Sequence, residues 1–227
     1  MDITSTRDPK KPKLKRFSSI LLLLGFVISS ISIVLFSLIY YPVISAEITY
    51  FFSNHGINSI VVLKTDNTSP NKNTITPVDE DFGIVIPKIN ANSKVIKDVN
   101  PYDSQEYQRA LTKGVAHAKG SAYPGQFGNV FMFSHSSVDF YQASRYNSIF
   151  YLLSKLEKGD DIYIFYNKVK IKYSVSEKKI VEANNISYLS NNSKEHTLTL
   201  MTCWPAGTSL KRLIVVAQIV DSQSTAN

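Results

Sequence analysis

Thr197-Leu-Thr-Leu-Met-Thr-Cys-Trp-Pro-Ala-Gly207, continuing through Thr-Ser-Leu-Lys into Arg212-Leu-Ile-Val-Val-Ala-Gln-Ile219, is the stretch on which the reading of this chain turns. Two apolar runs rich in β-branched residues, separated by a Pro- and Gly-containing connection, read as adjacent antiparallel strands. The first is expected over Thr197–Met201 and the second over Arg212–Ile219. Cys203 then falls in the connection, nine residues before Arg212, and the pairing would bring a thiol near a guanidinium.

Cys203 is the single cysteine among 227 residues, so it has no intramolecular disulfide partner. It is buried and inert, bonded to another chain, or kept for its reactivity. A thiol of ordinary pKa near 8.5 is mostly protonated at neutral pH, so a reactive one needs a neighbouring base or positive charge. Four histidines could serve. His55 sits near the apolar N-terminal segment. His196 opens the strand seven residues before Cys203, too far to touch the thiol along one strand. His117 lies in the loop-like stretch Gly114-Val-Ala-His-Ala-Lys-Gly-Ser-Ala-Tyr-Pro-Gly125. His135 ends the run Asn129-Val-Phe-Met-Phe-Ser-His135, where an apolar strand gives way to polar residues. Rigid backbone at a strand end suits a catalytic side chain, so periodicity favours His135 over His117. Arg212 could hold an extended peptide or steady an oxyanion. Equally, Lys211 and Arg212 could simply solvate a strand start.

Toward the N-terminus, Phe17 to Tyr41 is 25 residues without a charge. That is enough for a helix to cross a hydrocarbon core of roughly 30 Å. Arg7, Lys10, Lys11, Lys13, Lys15 and Arg16 precede it, so the positive-inside rule puts residues 1–16 in the cytoplasm and the rest of the chain outside. A cleaved signal peptide ending near Ile44-Ser-Ala46 is the competing reading, but the apolar run exceeds the usual length of about 7 to 15 residues. The same six basic residues nearly account for the net charge of +7. The remainder is close to neutral, with no basic stripe to bind nucleic acid.

Residues 42–81 form the expected juxtamembrane segment and linker. Ser45–Leu63 could continue as helix or turn extended, and Lys64–Asp81 is rich in Thr, Asn, Asp and Pro. From residue 82, short Ile-, Val-, Phe- and Tyr-rich runs alternate with Gly, Pro, Asn and Ser. Further strands are expected at Gly83–Ile86, Lys94–Asp98, Asn129–Ser134, Asp161–Tyr166 and Lys170–Val181, with short helices at Ser104–Leu111 and Asn147–Leu156. Seven or eight short strands make a mainly β domain, a sandwich or a closed barrel, over residues 82–221, with a tail at 222–227.

Thr199-Leu-Met-Thr-Cys203, with Arg212 opening the trailing strand, resembles the TLxTC signature and following arginine of sortases. The run from Gly114 to His135 is similar to the family's approach to its catalytic histidine. Leu156-Glu-Lys-Gly-Asp-Asp-Ile resembles its lead into the next strand, and Ile86-Pro-Lys-Ile-Asn90 its first strand. The resemblance implies a closed sortase-type β-barrel of seven to eight strands behind one transmembrane helix. It implies a cysteine transpeptidase with Cys203 as nucleophile, His135 protonating the leaving amine, and Arg212 orienting substrate and steadying the oxyanion. Thr202 would help position the peptide beside the thiol. The implied partners are the sorting-motif peptide of a secreted protein and an amine acceptor, either a cell-wall precursor or a lysine of a surface protein. Neither the Asp-Pro-aromatic lid nor the second membrane segment of many pilin-polymerising members is read here, which favours single-pass members of classes D and E. The Glu182–His196 loop, expected to help choose the motif, holds only two acids, so no metal and no cofactor is expected. Outside the family, an L,D-transpeptidase or cysteine peptidase would share the cysteine and histidine, and a non-enzymatic anchored β-domain would leave Cys203 inert.

Overall fold

The computed structural model describes residues 13–54, 75–136, 149–189 and 195–220. His55, most of the Lys64–Asp81 linker, residues 137–148 and the final tail lie outside the described residues. The chain divides into two units, Met1–Ser45 and Ala46–Asn227.

Helix α1 runs Lys13–Asn54, so the segment after Ser45 continues as helix at its start. Within it Ile20–Leu38 has a mean hydropathy of 2.6 and is long and apolar enough to cross a bilayer. At 1.5 Å per residue those positions extend about 28 Å, close to the thickness of a hydrocarbon core.

The second unit carries eight strands: β1 Phe82–Ile86, β2 Ala91–Val99, β3 Val115–Ala118, β4 Gly128–Phe133, β5 Asp161–Tyr166, β6 Val169–Glu182, β7 His196–Trp204 and β8 Lys211–Ile219. They close into a barrel in the order β1-β2-β3-β4-β7-β8-β6-β5, parallel at β2–β3 and β4–β7 and antiparallel elsewhere. A parallel neighbour requires a crossover, and α2, Ser104–Leu111, supplies it between β2 and β3. Asp103 caps α2 by accepting from the backbone N–H groups of Gln105 and Glu106, both at 3.0 Å.

Strand alternation divides the core in two. Inward residues such as Ile84, Met132, Ile164, Leu198, Leu200 and Leu213 fill the barrel. On the outer face, Phe131 and Phe133 pack beneath Ala110 and Leu111 of α2, with Tyr107 and Met201 alongside. The buried β3–β4–β7 wall therefore packs apolar side chains on both faces, with a few buried polar groups such as His117 and Asn129 among them, and α2 covers part of its exterior.

Three expectations need correction. The stretch around His117 is not all loop, because Val115–Ala118 forms β3. All four residues are buried, so the alternation that marks a half-exposed strand is absent. The expected helix ending near Leu156 is a 3-10 turn, Tyr151–Lys155, in its described part. Strand β7 also runs on past Met201 to Trp204, placing Cys203 inside the strand rather than in the connection. Pairing with β8 supplies what local pattern lacks there.

Candidate active site

The β7–β8 ladder sets Cys203 directly opposite Arg212, flanked by the pairs Thr202↔Leu213 and Trp204↔Lys211. Residues directly opposite in an antiparallel pair share a face, with Cβ atoms about 4.5–5.5 Å apart. Leu213 and Val215 point into the barrel, so Arg212 and Cys203 lie on the outer face with Met201.

His135 arrives from the other side of β7. Parallel pairing of β4 with β7 ends at Phe133↔Met201. The Ser134 N–H continues it by donating to the Met201 carbonyl at 3.2 Å. The next link is made by a side chain: Thr202 Oγ1 donates to the Ser134 carbonyl at 2.9 Å. The register thus carries the chain to His135 beside the end of β7 that holds Cys203.

Cys203, His135 and Arg212 all line one groove of about 740 Å³ on the outer face. Phe133 and Met201 line its base, Tyr107 and Leu111 of α2 one side, and Gly207–Leu210 of the β7–β8 connection the other. Cys203 is a free, partly exposed thiol. Arg212 Nη1 donates to the carbonyls of Ser209 and Lys211, both at 3.0 Å, which fixes the guanidinium to the connection. Its Nε and Nη2 make no hydrogen bond among the described residues and remain available to an incoming oxygen.

His117 is not brought to this groove. It is fully buried, opposite Met132 in the β3–β4 pair. Its Nε2 lies 3.0 Å from both the Ala122 carbonyl and Ser121 Oγ, while Nδ1 faces the Asp98 N–H at 3.4 Å. Ser121 Oγ already donates to the Ala118 carbonyl at 2.8 Å, so both neighbours of Nε2 are acceptors. A neutral ring protonated on Nε2 satisfies the whole set. Burial holds its pKa below the ordinary value of 6.5, against the opposing pull of the Ala122 carbonyl and Asp98. Although Ser121, His117 and Asp98 look like a hydrolytic triad, the Nε2 lone pair needed to accept a serine proton is absent. His196 lies at the far end of β7, its Nδ1 2.9 Å from the Gln126 carbonyl.

Thr202 lines the same groove; it is 2% exposed, and its hydroxyl donates to the Ser134 carbonyl, which ties the Cys203 strand to the segment bearing His135. The α2 side of the groove and the serines flanking His135 escaped the sequence reading. An amphipathic face on Ser104–Leu111 was the available signal for the former. Among the described residues, no group of three or more His, Cys, Asp or Glu side chains is placed to hold a metal ion.

A Sortase domain family model matches residues 84–220. Sortase D of Bacillus subtilis strain 168 is 28% identical over 138 residues, covering 60% of this chain and 61% of that protein, so the match spans less than two thirds of the relative's length. Sortase C-1 from Actinomyces oris superposes with a TM-score of 0.54 at 26% identity, over 63% of this chain and 76% of that one. The pilus-related sortase C of Group B Streptococcus gives 0.53 at 27% identity, over 67% and 78%. Sortase A from Corynebacterium diphtheriae gives 0.53 at 25%, over 65% and 64%. The matched stretch takes in all of β2 to β8 and most of β1, well over half of the sequence, and on that ground the chain belongs to the sortase family.

Proposed function

We propose that this protein is a membrane-anchored cysteine transpeptidase. It cleaves a sorting motif in a secreted protein and passes the acyl group to an amine at the cell surface. The observation that carries this reading is the direct Cys203↔Arg212 pairing, with His135 delivered to the same groove by the β4–β7 register.

Chemistry follows from the placement. The Cys203 thiolate attacks the scissile carbonyl carbon, and the carbonyl oxygen becomes an oxyanion that the unengaged edge of Arg212 meets with N–H donors. As the C–N bond breaks, His135 gives its proton to the departing amine, leaving a thioester on Cys203. An acceptor amine then attacks the thioester, His135 takes the amine proton, and the thiolate leaves. The new amide bond replaces the thioester. Thr202 acts as a positioning residue by fixing Ser134, and with it His135, to the Cys203 strand.

The basic residues that precede the apolar span Ile20–Leu38 support a cytoplasmic N-terminus with the barrel on the outer side. That location presents both substrates to the groove.

The test offers the full-length protein in detergent a library of sorting-motif peptides with an amine acceptor, read by intact-protein mass spectrometry. A thioester mass on Cys203 and an amine-linked product are expected, and both vanish in Cys203→Ala. Wild-type protein without any adduct across the library would overturn the proposal.

A further inference from the structure

Buried hydroxyls in this barrel normally have partners. Ser93 Oγ donates to the Lys94 carbonyl at 3.0 Å, Thr199 Oγ1 to Asn129 Oδ1 at 2.8 Å and Thr202 Oγ1 to the Ser134 carbonyl at 2.9 Å. Ser134 and Ser136 are the exceptions among the described residues. They are 5% and 3% exposed, and neither hydroxyl makes a hydrogen bond. Both lie immediately beside His135, and both line the groove that holds Cys203 and Arg212.

A buried hydroxyl left unpaired costs about 1–3 kcal/mol, and alanine would fill nearly the same space without that cost. Two such groups on either side of one histidine, both lining the groove, have hydrogen-bonding capacity that an occupant of the groove would complete. Resting on the transpeptidase reading above, we propose that Ser134 and Ser136 bind the peptide groups next to the scissile bond. A hydroxyl both donates and accepts, so it can meet the N–H or the C=O of an extended chain. Phe133 and Met201, apolar and on the same outer face, accommodate side chains but offer nothing to backbone polar groups. The two serines supply what that surface lacks.

This role separates stability from binding. In Ser134→Ala and Ser136→Ala the free protein loses no hydrogen bond, so the melting temperature stays the same or rises. Each variant should raise KM about three- to tenfold for the library peptide giving the largest Cys203 adduct. A second measurement guards against altered folding. Esters replace successive backbone amides of that peptide, and kcat/KM is measured for wild type and each variant. Direct contact predicts at least one position where the ester penalty seen with wild type disappears in the variant. KM within about twofold of wild type in both variants, or penalties that add at every position, would overturn the inference. An adduct formed with additive penalties removes this inference alone, whereas no adduct on wild type removes the transpeptidase reading along with it.

Discussion

Replacing Thr202 by Val keeps the volume and removes one donor, which tests how the barrel places its histidine. The hydroxyl makes a 2.9 Å hydrogen bond to the Ser134 carbonyl, and the residue is 2% exposed. Its loss leaves a carbonyl poorly satisfied in a buried setting, a cost of about 1–3 kcal/mol. For a domain of this size each kcal/mol lowers Tm by about 3 °C, so a fall of about 3–9 °C is expected. Function should suffer more than stability. Ser134 directly precedes His135, and a misplacement of about 1 Å in a catalytic group can lower the rate about a hundredfold. We expect peptide acylation, followed by intact-protein mass spectrometry at a temperature where the variant is fully folded, to slow by about 10- to 100-fold. The loss should fall on kcat, because the side chain holds His135 rather than substrate. Thr202→Ser, which keeps the donor, should restore most of it. A rise in KM with kcat intact would instead support the peptide contact that the sequence resemblance implies. Wild-type acylation despite the lower Tm would refute the link between this hydrogen bond and His135.

Arg212→Lys keeps the charge but loses the planar fork. Removal of an oxyanion donor of this kind should slow acylation by about 10²–10³, with Tm little changed because the bonds to Ser209 and Lys211 are exposed. Acylation within about threefold of wild type would take Arg212 out of the mechanism. Burial lowers the His117 pKa on folding, so the folded state binds fewer protons than the unfolded chain. Its contribution is complete above the unfolded value of 6.5 and is lost as pH falls through the depressed folded value. Melting curves should therefore show Tm dropping as pH goes below about 6.5, with a shallower drop in His117→Gln. Equal slopes would exclude His117 as the source. At Gly114 an added Cβ would stand 2.2 Å from the Lys94 carbonyl oxygen, which is backbone and cannot swing aside. Gly114→Ala should cost about 2 kcal/mol or more, read from denaturant unfolding, as β3 is forced away from β2. An unchanged midpoint would contradict the close approach.

Much was legible in one dimension because its causes are local. The uncharged run from Phe17 to Tyr41 announces a membrane-crossing length by itself. The four-residue spacing of Tyr107 and Leu111 marks α2 at its observed bounds. Alternation and β-branching locate β5 at Asp161–Tyr166, and β6 and β8 to within a residue. The cysteine, histidine and arginine stand out through residue type and family resemblance.

Tertiary structure decided the rest, because long-range pairing overrides local preference. Val115–Ala118 carries no alternation to betray a strand, since both its faces are covered. Cys203 enters β7 only because β8 continues the ladder beyond Met201 as far as Trp204↔Lys211. His117 and His135, both candidates in the sequence with His135 favoured, separate in space because β3 turns one ring into the interior while β4 delivers the other to the groove. Sequence by itself determined which reactive groups the chain carries and that they belong to a mainly β domain. Which face each group occupies and what lies opposite it are properties of register, and register is set by strand partners distant in the chain, as where Phe133 meets Met201 and Phe82 meets Tyr166.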